Sequence, residues 1–115
     1  MSNSQEQAQQ IAVEIADAEK AISLLDAFER LQQMPDFNLV IGNGYFEQES
    51  IRLVLSKANP ELQNEDMQKS IMKSIDAIGE FRQYLVVLTQ RGHQMRRAIA
   101  EQKAEQEAIR NEEAD

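Results

Sequence analysis

Hydrophobic positions recur at helical spacing through most of this chain, in two long stripes separated by a short aromatic stretch. The first stripe, Ile11, Ile15, Ala18, Ile22 and Leu25, advances in steps of four, three, four and three, which is an apolar seam along one side of a helix. Glu14, Asp17, Glu19 and Lys20 fall between these positions and belong to the solvated side. Beyond Leu25 the seam moves to Phe28 and Leu31, so it drifts around the helix instead of keeping a strict heptad. Pro35 has no amide hydrogen and restricts Met34 before it, so the first helix is predicted over residues 1–34.

The second stripe starts after Asn59-Pro60 and runs through Ile71, Ile75, Ile78, Phe81, Leu85 and Leu88 to Met95 and Ile99. With Gly92 counted on the seam, the steps from Ile78 onward alternate three and four. Asn59 or Asn64 can cap this helix, and Glu65 and Asp66 suit the positive end of its dipole. It is predicted over 61–110, about 70 Å of rod at ~1.5 Å per residue, with an acidic tail over 111–115 that is either a solvated helix end or a partner-recognising tail. Gly79 and Gly92 each cost about 1 kcal/mol inside a helix relative to Ala. Close approach of another helix explains them, or a bend at Gly92.

Between the stripes, residues 35–60 are predicted as short helices. Asp36 to Ile41 reads as one, ended by Gly42-Asn43-Gly44, where glycine can take the positive φ that closes a helix. A hairpin through Asn43-Gly44 is the rival. It is rejected because Ile51, Val54, Leu55 and Ala58 return to helical spacing. Phe37, Tyr45 and Phe46 are predicted to plug the core between the long helices, with a ligand pocket as the alternative. The fold expected is therefore all-α: a single helical domain over 1–115, a long antiparallel helical hairpin with short aromatic helices in the connection, and oligomeric.

Charge and chemistry narrow the function. The net charge of −8 disfavours nucleic acid unless bases gather on one face. Arg91, His93, Arg96 and Arg97 are the one such cluster, a candidate anion or partner patch. No aromatic interleaves them to stack bases, so pairing with acids of the first helix or of a second chain is the favoured reading. His93 is the sole histidine and cysteine is absent, which excludes a histidine cluster, a thiolate metal site and a disulfide within the chain. Neither a phosphate loop nor a nucleophile elbow is present, and the paired acids Glu14/Asp17 and Asp76/Glu80 have no cleft to perturb them. No catalytic residue, metal or cofactor is expected. No apolar run approaches the ~18 residues of a membrane helix, and the polar start Met1-Ser2-Asn3-Ser4-Gln5 is not a signal peptide, so a soluble protein is expected. The surfaces expected to meet a partner are the stripe positions Ile11, Ile15, Ile22, Leu25, Leu85, Leu88, Met95 and Ile99.

Over residues 20–100 the chain resembles a family of small helical proteins encoded by tailed bacteriophages. The resemblance rests on Pro35-Asp36-Phe37, Val40-Ile41, Gly44-Tyr45-Phe46, Glu49 and Arg52-Leu53-Val54, followed by Ile75-Asp76-Ala77-Ile78-Gly79 and Phe81-Arg82-Gln83-Tyr84. It implies a phage product from among head and portal assembly genes, located in the virion or the host cytoplasm. The partners it implies are copies of itself and other virion proteins, and it carries over no catalytic residue. An acidic inhibitor that sequesters a host factor is the alternative function.

Overall fold

The computed structural model describes residues 2–114, and all their regular structure is helical. Helix α1 runs Ser2–Gln32, and a short helix α2, Pro35–Phe37, follows. A π-helical segment, Asn38–Glu49, leads into α3, Ser50–Ala58. A 3₁₀ turn, Pro60–Leu62, precedes α4, Glu65–Ala114, whose 50 residues span about 75 Å. Met1 and Asp115, the last residue of the predicted acidic tail, lie outside the described residues; the tail up to Ala114 continues α4. The chain divides into two compact units, one made of residues up to Phe28 with those from Leu88 onward, the other Glu29–Val87.

Proline acts as its chemistry requires. Met34 is extended (φ −86°, ψ 119°), α1 stops two residues before it, and Pro35 opens α2. Asn38 Nδ2 donates to the Gln32 carbonyl at 2.9 Å, satisfying one of the acceptors that the end of α1 leaves open. The predicted stop at Gly42-Asn43-Gly44 is not there. No glycine of the chain has positive φ, and the π winding passes through both residues without a break. Helical φ and ψ at Asn38, Glu49 and Ser50 join α2, the π segment and α3 into one continuous helix.

The connection to α4 is tied by four side-chain amides. Asn59 accepts from the Glu61 amide at 3.0 Å, and Asn64 accepts from the amides of Asp66 (2.8 Å) and Met67 (3.4 Å), so the two capping candidates cap two different elements. Gln63 and Gln68 donate to the carbonyls that α3 and the 3₁₀ turn leave open, reaching Lys57, Asn59 and Leu62. In the second unit Leu53 and Ile78 are buried. Phe46 stacks on Phe81 (centroids 5.6 Å, 19° between planes), and Tyr45 meets Phe81 edge-on at 6.1 Å. The aromatic plug thus holds the π segment against α4. Phe81 belongs to it, and Phe37 is half-buried, as Tyr45 and Phe46 are.

In the first unit Ala21 and Leu25 of α1 are buried, and Leu25 at 1% exposure is the most enclosed large side chain among the described residues. It sits on Gly92 of α4. A Cβ built on Gly92 would lie 2.7 Å from Leu25 Cδ2 and closer still to Leu25 Cβ. Gly92 is therefore a close-approach glycine. Gly79 is not, since nothing lies within 4 Å of its would-be Cβ.

Candidate interaction surfaces

The expected partner positions separate into covered and uncovered groups. Leu25 is taken up inside the chain, so it is not available to a partner. Ile22, Leu85, Leu88, Met95 and Ile99 are half-buried, and the α4 stripe read from the spacing is its shielded side. Ile11 and Ile15 stand open at 55% and 47% exposure. Indeed every described side chain from Asn3 to Asp17, and from Ala100 to Glu113, is exposed. Leu31, to which the α1 seam drifts, is exposed as well.

A second uncovered face lies on α3, where the spacing of Ile51, Val54, Leu55 and Ala58 showed a helix but not which way it faces. Leu53, not the spaced stripe, points to the core: it is buried, while Ile51, Val54 and Leu55 are 60%, 60% and 67% exposed. The π segment explains this. Winding with i→i+5 bonds takes more residues per turn than the 3.6 of an α-helix, so residues near four apart share a side. Phe37, Ile41, Tyr45 and Glu49 are half-buried, as are Phe46 and Ser50 beside them, and Leu53 is buried, whereas Ile51, Val54, Leu55 and Ala58 are exposed. Period-four chemistry in the sequence was the available signal.

In the basic cluster on α4, Arg91, His93 and Arg97 are exposed, and Arg96 is half-buried in an ion pair with Asp26 of α1. Pairing with an acid of the first helix is thus realised at Arg96, which withdraws one charge from any anion patch. Both partners of this half-buried pair keep solvent contact, so it contributes only ~0.2–1 kcal/mol.

The aromatic region offers a shallow open depression of about 430 Å³ lined by Val40, Ile41, Gly44, Tyr45 and Glu49. Its one charged group, Glu49, is engaged by Arg52, whose Nε donates to Oε2 at 2.9 Å while Nη2 approaches Oε1. The hydrogen bond from Arg52, and then its positive charge, hold the Glu49 carboxyl below the usual carboxylate range against the opposing effect of burial. Glu49 in turn holds Arg52 above its ordinary value. Among the described residues no group of three or more His, Asp or Glu side chains is placed to hold a metal ion. Among the described residues no helix is long and apolar enough to cross a membrane.

Comparison with protein families, with curated proteins and with solved structures finds no match to this chain.

Proposed function

We propose that this chain is a bacteriophage structural or assembly protein that works through helix-mediated contacts with its own copies and with other proteins of the head or portal region. The observation that carries the self-association is the uncovered apolar surface: Ile11 and Ile15 on α1, and Ile51, Val54 and Leu55 on α3. The virion setting rests on the resemblance of residues 20–100 to small phage proteins.

In this reading α1 and α4 form the arms of an antiparallel hairpin, and their far ends serve as contact surface. No chemical step is assigned to any residue. Two measurements test the proposal. Light scattering on the purified protein should give a mass above that of one chain, and mass spectrometry of purified virions or assembly intermediates should find it in stoichiometric amount. A monomer at about 100 µM, a concentration well above typical specific affinities, removes the self-association; absence from particles and intermediates alike removes the virion role and leaves the acidic-inhibitor alternative.

A further inference from the structure

We propose that the exposed face of α3 is the docking site for the N-terminal half of α1 from a second copy of this chain. The inference rests on the self-association proposed above and names its surfaces. Two stripes meet the requirements of a helix pair. On α3, Ile51, Val54, Leu55 and Ala58 stand at i, i+3, i+4 and i+7 and turn away from the core that Leu53 enters. On α1, Ala8, Ile11 and Ile15 stand at i, i+3 and i+7 within the stretch whose described side chains are all exposed.

Charge selects the pairing. Helix α3, Ser50–Ala58, carries Arg52 and Lys57 and no acid of its own, with Arg52 also pairing with Glu49 at its N-cap, and at about 100° per residue the two bases lie on opposite sides of its stripe. The first eighteen residues of α1 carry Glu6, Glu14, Asp17 and Glu19 and no base. Glu14 and Glu19 lie on opposite sides of the Ile11–Ile15 stripe by the same geometry. A base-flanked apolar stripe therefore faces an acid-flanked one, in the manner of flanking charges that set partner choice between helices. The stripe of α3 against its own copy would instead set base against base, Arg52 near Arg52 and Lys57 near Lys57 in an antiparallel pair or Arg52 near Lys57 in a parallel one, which like-charge repulsion disfavours. Because α1 and α3 are different surfaces, two copies satisfy both contacts by a two-fold exchange, and longer closed rings satisfy them head to tail.

Sedimentation equilibrium on the full chain with charge reversals is the test. Glu14, Glu19, Arg52 and Lys57 are all exposed; because Arg52→Glu also breaks the ion pair with Glu49, Arg52→Gln is the control for that loss, and circular dichroism checks that each chain stays helical. The variant R52E/K57E should self-associate at least about tenfold more weakly than the unaltered chain, and E14K/E19K likewise. Mixed together, the two variants regain complementary charges at both contacts and should associate with about the unaltered strength. If the unaltered chain associates and both reversals associate as tightly, or if the mixture gains nothing over its components, the α1–α3 pairing is wrong and self-association itself stands. If the unaltered chain is a monomer, both fall. Should a reversed chain lose helicity, Ile15→Ser and Val54→Ser replace it, each expected to weaken association by a similar factor.

Discussion

Replacing Gly92 by Ala tests the tightest packing in the molecule. Two effects oppose each other. Alanine relieves the backbone entropy that glycine costs inside a helix, a gain of about 1 kcal/mol. The added methyl must also fit against Leu25, which is 1% exposed and lies 2.7 Å (Cδ2) or less from the new atom. Rotating the Leu25 side chain cannot relieve the contact, because its Cβ is among the atoms met; a helix backbone has to move. Overpacking of this kind costs about 1–3 kcal/mol. With the upper part of that range applied, Gly92→Ala destabilises by about 1–2 kcal/mol net. Gly79→Ala is the internal reference: nothing lies within 4 Å of its Cβ, so only the gain remains, about 0.5–1 kcal/mol of stabilisation. Urea denaturation followed by helical circular dichroism, with all proteins at one concentration, reads both. At a slope of about 1–3 kcal/mol per molar urea, the two midpoints should separate by about 1 M, on opposite sides of the unaltered chain. Equal stabilisation by both substitutions would refute the contact between α1 and α4 at Leu25.

Other expectations follow from contacts already described. Leu25→Ala should cost about 2–5 kcal/mol by cavity formation, whereas Ile11→Ala, at an exposed position, should leave urea stability within about 0.5 kcal/mol while weakening self-association. Asn64→Ala removes the acceptor for two amides at the start of α4 and should cost about 0.5–2 kcal/mol in the same assay. The Glu49 carboxyl is held below its unfolded value, so its pairing with Arg52 contributes fully above that unfolded value and is lost as pH falls through the lower, folded one. Arg52→Gln should therefore lower the urea midpoint at about pH 7 and have no effect once pH is below the folded value of Glu49; an equal effect at both would contradict the pairing. Arg96→Ala should change stability by less than about 1 kcal/mol, since both partners of its ion pair with Asp26 keep solvent contact.

Much of the fold was legible because it depends on local chemistry. Pro35 and Asn59-Pro60 bound the helices where the missing amide hydrogen demands it, and Asn59 and Asn64 cap as their short amide side chains allow. The α4 stripe from Ile71 to Ile99 was legible because a long uninterrupted helix has one winding and thus one face. Gly92 was singled out by its cost, and Leu25 supplies the compensation. The middle segment was not legible, since it holds two competing stripes. One has period four, Phe37 to Leu53, and the other has α-helical spacing, Ile51 to Ala58; what decides between them is contact with α4, as where Tyr45 of the first stripe meets Phe81 edge-on across 36 residues of chain. The glycines misled because positive φ was assumed where negative φ was adopted. For the surfaces, residue type identified Ile11 and Ile15, but Leu25 shows that membership of a stripe does not reveal whether the chain itself already fills it.

The π segment makes chain length, more than composition, the quantity that aims α3. Over its twelve residues this wider winding completes roughly half a turn less than an α-helix would. Deleting or inserting one residue between Asn38 and Glu49 would therefore rotate everything downstream, carrying Leu53 off its seat and swinging Ile51 and Leu55 toward it. Substitutions along this stretch can be absorbed one at a time. A change in its count re-aims the whole helix at once.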